Sequence, residues 1–169
     1  GATHIFSEVL KDGQPYLISL IRHFGCIACA EHITSILKYK KQITDLGIKL
    51  VIIGNGNDVQ LAEFIKRMRL IDDDLIVVTD PTLLIFKELG LEYSITSTIH
   101  YKSLQGAVRA YKAGHRNQDT KNGERGSHFQ QGGILMLDSD QNIEYYFRSE
   151  HLGDKPSGAE LLEYTQDIF

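Results

Sequence analysis

Short hydrophobic runs closed by turn residues alternate along this chain with longer stretches whose apolar residues recur at helical spacing. Tyr16 to Ile21, Lys49 to Ile53, Leu75 to Val78 and Ile134 to Leu137 read as buried strands, and Ile143 to Phe147 as a fifth. Ile33, Ile36, Leu37 and Ile43 predict one helix from about Ala28 to Leu46, stopped by Gly47. Asp58 is the expected N-cap of a helix from Val59 to about Met68. Asp80-Pro81 supplies N-cap and first-turn proline for a helix through Leu89, ended by Gly90. Gly158 to Ile168 is a closing amphipathic helix carrying Leu161, Leu162 and Tyr164.

Two further elements complete the pattern. Ile5 to Leu10 alternates like a short strand, and the turn Lys11-Asp12-Gly13-Gln14 would fold it as an N-terminal β-hairpin onto Tyr16–Ile21. The strands linked through helices are expected to be parallel, and the last two, joined by Asp138–Asn142, antiparallel. The result is an α/β protein with a mixed central sheet flanked by helices.

The stretch from Tyr93 to Gln131 fits this order least. Ser103 to Ala113 has helical periodicity through Leu104, Val108 and Tyr111, whereas Gly114 to Gln131 is polar and glycine-bearing. Lys102, Arg109, Lys112, Arg116, Lys121 and Arg125 face only Asp119 and Glu124 there, a net of +4 in a chain of net −4. A solvated loop accounts for that charge; a basic lid or docking surface for an anionic partner is the functional reading. The glycine-rich Gly54–Asp58 loop lacks the spacing of a phosphate-binding motif and reads as a turn.

Composition narrows the class. With 169 residues, 42% hydrophobic and 24% charged, the chain can bury a real core. Its net charge gives no reason to expect nucleic acid or an anionic membrane as partner, and no apolar stretch reaches transmembrane length. Gly1 to Phe6 lacks the basic and apolar regions of a secretory signal, so a cytoplasmic location is expected.

Cys26 and Cys29 are the only cysteines, three apart, at the junction of a strand and a helix. Unpaired amides and the positive helix end there favour a thiolate, which points to Cys26 as attacking sulfur and Cys29, one turn on, as resolving thiol. Arg22 and His23 are candidate electrostatic helpers. Inert core cysteines, a structural disulfide and a zinc site built with His23 and His32 are the alternatives. Zinc requires four converging ligands, and along one helix His32 turns away from His23.

The string Leu20-Ile21-Arg22-His23-Phe24-Gly25-Cys26-Ile27-Ala28-Cys29 resembles the active-site region of peroxiredoxin-like proteins of the AhpC/TSA group, of the peroxiredoxin-like 2 type. Val78-Thr79-Asp80-Pro81 with Lys87–Gly90, Gln131-Gly132-Gly133, Arg148 and Gly153-Asp154-Lys155-Pro156 are similar to later strings of that group. The resemblance implies one thioredoxin-like domain over 1–169, with an insertion at about 93–131. It implies a thiol oxidoreductase or peroxidase with Gln131, Gly132 and Gly133 facing the substrate.

The expected substrates are hydroperoxides or protein disulfides, and the expected reductant is of the thioredoxin or glutathione type. No cofactor, metal, nucleic acid or membrane is expected; a second copy of the chain, as a homodimer, is a candidate partner. A non-catalytic binding module or redox sensor with a basic contact loop is the alternative. Peroxiredoxins proper resemble one another in a Pro-x-x-x-Thr-x-x-Cys loop and an arginine before the fourth strand. Here His23 and Gln130-Gln131-Gly132 stand at those places, and the chain has no tryptophan of the thioredoxin motif. Slow peroxide reduction beside easier thiol–disulfide exchange is the consequence expected.

Overall fold

The computed structural model describes residues 9–11, 13–91, 101–116 and 129–169. Five strands form one mixed sheet: β1 (Tyr16–Leu20), β2 (Lys49–Gly54), β3 (Leu75–Thr79), β4 (Gly133–Leu137) and β5 (Ile143–Arg148), in the order β3-β2-β1-β4-β5. β1–β2 and β2–β3 are parallel, while β1–β4 and β4–β5 are antiparallel. The helices are α1 (Ile27–Leu37), α2 (Lys40–Asp45), α3 (Asp58–Met68), α4 (Leu84–Glu88), α5 (Tyr101–Lys112) and α6 (Gly158–Ile168). No helix among the described residues is long and apolar enough to cross a membrane.

Strand alternation divides the core into two layers. Leu17, Ile21, Leu50, Ile52, Ile134 and Met136 pack against Ile33 and Ile36 of α1, Ile43 of α2, Phe64 of α3 and Leu161 of α6. Tyr16, Ile18, Leu20, Val51, Ile53 and Leu135 face the opposite way and are covered by Phe86 and Leu91. Central strands buried on both faces are apolar throughout, which is why they read as continuous runs.

The structure corrects four expectations. Both edges of β1 are taken, by β2 and β4, so no edge remains for an N-terminal hairpin. The strand expected from residue 5 lies mostly outside the described residues. The single helix expected over 28–46 is broken at Lys38–Tyr39: the Tyr39 amide turns to Ile36 O at 2.9 Å, re-aiming the chain so that Ile43 is fully buried. Asn57, not Asp58, caps α3 in a capping box with Gln60, both bonds 3.0 Å. Asp80 does bind a helix amide, that of Ile85 at 2.8 Å, but α4 starts at Leu84, after Leu83 in a left-handed conformation. The bounds of α6 match the sequence reading.

The inserted segment is partly described. α5 is docked by its Arg109, which forks onto Glu31 of α1 at 3.0–3.2 Å, and by Ser103 Oγ, which accepts the Leu152 amide at 3.1 Å. Arg116 stacks on Tyr111, 3.9 Å from the ring centre. These two basic residues therefore serve internal contacts, and 117–128, with the rest of the expected basic loop, lies outside the described residues.

One glycine sets the turn that leads into α1. Phe24 is buried over the end of β2, 5.2 Å from the Phe64 ring, and a Cβ on Gly54 would overlap its ring. Gly54→Ala should therefore displace Phe24 and cost about 1–3 kcal/mol, read as a lower urea midpoint. An unchanged midpoint would show that the ring is not held there.

Candidate active site

β1 delivers the site. Its last ladder bond, Ile21 N to Ile53 O at 2.8 Å, ends at Arg22, and the chain turns through His23–Gly25, closed by Cys26 N to His23 O at 3.2 Å. Phe24 anchors this turn from inside, and Arg67 of α3 ties it from outside by an Nη2 bond to Phe24 O at 2.6 Å. Cys26 then occupies the N-cap of α1 in extended conformation, and Cys29 is in its first turn. Both are free thiols, 4% and 1% exposed.

Burial gives the two sulfurs opposite fates. The hydrogen bond that Cys26 makes to Cys29 pushes its own thiol up, and burial adds to this. Burial also opposes a charge on Cys29, but the bond from Cys26, the Lys155 and Arg22 cations and the Arg22 amide outweigh it and bring Cys29 to about 5. Through that shared hydrogen bond the two thiols titrate as one pair, and Lys155 and Arg22 favour a negative charge at its Cys29 end. The sequence reading placed the thiolate on Cys26 by the helix end; other elements add cations that the helix end does not supply, Arg22 acting on both sulfurs and Lys155 on Cys29.

Arg22, which strand alternation could have left in solvent, is buried, with Nε bonded to Gln130 O at 3.0 Å. His23 lies half-buried in the turn and contributes its carbonyl to the Cys26 amide. Gln131, Gly132 and Gly133 are buried beside β1, and their backbone is largely committed. Gly132 O accepts the Ser149 amide at 3.0 Å, and Gly133 pairs with Leu20 and Arg148. The open backbone expected there for a substrate is thus part of the sheet. Among the described residues, no three of His, Cys, Asp and Glu are grouped to hold a metal ion.

Two residues near the dithiol, Lys155 and Arg67, escaped the sequence reading as site residues, and His32 entered it only as a zinc candidate. Burial pushes His32 well below its ordinary value, with Lys155 adding to the effect, so its imidazole is neutral at pH 7. Burial also lowers Arg67, while Glu63 and the two cysteines pull it back up. Lys155 lay inside the Gly153–Pro156 string, the one signal available; Arg67 had only helical periodicity, which says nothing of a sulfur. A pocket of about 420 Å³ adjoins the site between α1, α5 and the segment leading into α6, lined by Ala28, His32, Arg109 and Lys155 among others.

Residues 35–151 match the family model described as AhpC/TSA antioxidant enzyme. The chain belongs to that family. The matched stretch begins after Cys29, so membership rests on the fold and its later strings rather than on the cysteines. The chloroplastic thioredoxin-like protein AAED1 of Arabidopsis thaliana is 30% identical over 165 residues, covering 93% of this chain and 64% of that protein. The chain thus spans under two thirds of that relative's length. Peroxiredoxin-like 2C of Bos taurus is 25% identical over 170 residues, covering 95% of this chain and 72% of its own. Among solved structures, the peroxidoxin BcpB of Mycobacterium tuberculosis has a TM-score of 0.63 at 15% identity, over 96% of this chain and 84% of that one. Peroxiredoxin 6 of Arenicola marina has a TM-score of 0.64 at 8% identity, over 92% and 61%. These likenesses establish the thioredoxin-like fold of the AhpC/TSA family.

The displaced thiol pKa has a consequence for stability. Between about pH 5 and the unfolded cysteine value near 8.5, the unfolded state binds the Cys29 proton and the folded state does not, so stability rises with pH. Above that window the raised Cys26 reverses the sign. His32, buried neutral, adds to the rise only below its ordinary value near 6.5. Urea melts of the reduced protein should show stability climbing from about pH 7 to 8.5, and Cys29→Ser should abolish the climb. A native profile as flat as the variant's would refute the charge assignment.

Proposed function

We propose that this protein is a thiol oxidoreductase of the peroxiredoxin-like type, whose Cys26–Cys29 pair reduces a protein disulfide or a hydroperoxide. The observation that carries the reading is the buried pair itself, one thiol hydrogen-bonded to one thiolate, with cations brought to it from β1 and from the segment before α6. An inert pair needs no such charges. The chain from 1 to 169 works as one unit around its sheet. A thioredoxin- or glutathione-type reductant returns the disulfide to the dithiol in a reducing compartment, the cytoplasm or an organelle; the Arabidopsis relative is named as chloroplastic.

Cys26, the outer sulfur, attacks, and its proton passes to the Cys29 thiolate as the new bond forms. With a disulfide, a bond from Cys26 Sγ to one substrate sulfur replaces the substrate's S–S bond, and the other sulfur leaves as a thiolate that takes the proton from Cys29, restoring the Cys29 thiolate. That thiolate then attacks Cys26 Sγ and expels the second substrate sulfur as a thiolate, which takes a proton from solvent. Two cysteines are oxidised to one disulfide and one substrate disulfide is reduced to two thiols. With a hydroperoxide, the O–O bond breaks, Cys26 becomes the sulfenic acid and an alcohol leaves; attack by Cys29 then releases water. Access to either sulfur comes through opening of the turn 22–25, since both are covered in the closed state.

The competing reading, a redox sensor or binding module without turnover, is favoured by that same cover over the sulfurs. It predicts an alkylation profile with a midpoint near the free value of about 8.5. Oxidation of the reduced protein followed by stopped flow and mass spectrometry decides between them: stoichiometric Cys26–Cys29 disulfide with substrate reduction supports the enzyme.

Cys29→Ser should leave Cys26 as a mixed disulfide or sulfenic acid after one equivalent of oxidant, seen by intact mass. If the variant turns over like the native protein, Cys29 is not the resolving thiol. Peroxide should react far more slowly than the diffusion-controlled limit of about 10⁸ M⁻¹s⁻¹, because His23 stands at the threonine place and the sulfurs are covered. A rate constant approaching that limit in stopped flow would sink this expectation.

A further inference from the structure

The buried ammonium of Lys155 has no hydrogen-bond partner among the described residues. An ammonium held out of water without an anion costs several kcal/mol, so its position calls for a negative charge beside it. Of the acidic side chains that line the same pocket as Lys155, Glu31 is held by Arg109 and Glu160 accepts the Ser157 amide at 2.7 Å. Its place is set by Gly132. A Cβ on that glycine would overlap the Leu20 carbonyl, so glycine is what lets this backbone close on the end of β1, and Lys155 Nζ lies 3.2 Å from where that Cβ would stand. That is the position, just before β4, where the sequence carries Gln130-Gln131-Gly132 instead of a cation. Gln130 cannot take over the task, since its amide donates to Leu91 O and Gln131 O at 3.1 and 3.0 Å.

We infer that Lys155, delivered across the sheet end from the segment between β5 and α6 into the space left by Gly132, is the cation that holds the negative charge of the dithiol. It acts through Cys29 as a positioning residue and deepens the redox reading above, on which it rests. The segment is fixed at both ends. Leu152 is bonded to Ser103 of α5, and α6 opens with a Ser157–Glu160 capping box. Behind it, the Gly158 amide reaches Ser35 Oγ of α1 at 2.8 Å. The ammonium is therefore preorganised at no further cost when charge builds on sulfur. The lowering of both Cys29 and His32 by Lys155 agrees with this placement.

The charged groups facing the dithiol are Arg22 from the turn after β1, Arg67 from α3 and Lys155; His32 of α1 faces Lys155, and His23 meets Cys26 through its carbonyl. Arg22 has its Nε committed to Gln130 O, and His32 stays neutral through the neutral range. Removing Lys155 is therefore read at the thiols.

The test uses the reduced full-length chain. Thiolate absorbance at 240 nm and iodoacetamide alkylation are followed against pH in the native protein, Lys155→Met, Lys155→Gln and Lys155→Arg. Lys155→Met and Lys155→Gln should raise the first thiolate midpoint by about one pH unit or more, leaving about ten-fold less thiolate in the interval between the two midpoints. Reduction of a small aromatic disulfide should fall by a similar factor there and recover near pH 9.5, and Lys155→Arg should restore most of both. Urea midpoints should hold or rise, since a buried charge has gone. A native midpoint in both neutral variants overturns the assignment. So does a rate loss that persists at high pH and is not rescued by arginine, which would mark a structural role. If the native protein reduces no disulfide or peroxide, the redox reading fails, while the titration still reports on Lys155.

Discussion

A negative charge among Ile, Phe and Leu side chains is the constraint around which this molecule is arranged. Desolvation alone would keep both thiols protonated, and a thiol kept protonated at neutral pH is a poor nucleophile. The Cys29 thiolate survives burial only through a second thiol that donates to it and cations that face it. Those groups come from different parts of the chain: the end of β1, the first turn of α1, and the segment before α6. Each must be held to a fraction of an ångström by its own packing, because electrostatic help in a dry site falls quickly when the charge can move away. Much of the surrounding architecture can be understood as the means of holding them.

Phe24 fixes one side of this arrangement. Its ring fills the space above Gly54 and lies against Phe64, so the turn that ends in Cys26 is tied to β2 and α3 as well as to β1. On the other side, α1 cannot rotate freely: Gly158 allows α6 to approach the Ser35 backbone closely, and Arg109 clamps Glu31 from α5. The inserted helix therefore belongs to the support of the active-site helix. A charge-rich segment that read as a lid or docking surface has, in its described part, a mechanical place in the fold.

The strands and the closing helix were legible in the sequence because their signals are local. Continuous apolar runs mark β1 to β4, and the helical spacing of Leu161, Leu162 and Tyr164 marks α6. What could not be read locally was decided by partners far along the chain. β1 lost its expected hairpin because β4, more than a hundred residues later, pairs with the edge that the hairpin needed. The helix expected over 28–46 broke because a straight rod would carry Ile43 past the sheet, whereas the kink buries it. The dithiol itself was legible, as was its place at a strand–helix junction. Its polarity was not: the helix end favours charge on Cys26, and Lys155 and Arg22, brought there only by the tertiary fold, favour Cys29.

The same polarity reconciles cover with reactivity. A resting thiolate on the outer sulfur would be open to any oxidant or alkylating agent that entered the turn. With charge drawn toward Cys29 and both sulfurs covered, the pair is protected while the turn is closed. Opening of the turn changes this balance at the first turn of α1, where the Cys26 side chain makes no capping bond and no acidic residue opposes a thiolate. Cys26 then has the helix amides to itself and a base, Cys29, ready to receive its proton. The remainder of α1 stays clamped by α5 and α6, so the rearrangement is confined to one turn of chain. Under the proposed function, that confinement favours a substrate able to hold the turn open, such as an extended polypeptide carrying a disulfide, over a small peroxide that makes few contacts.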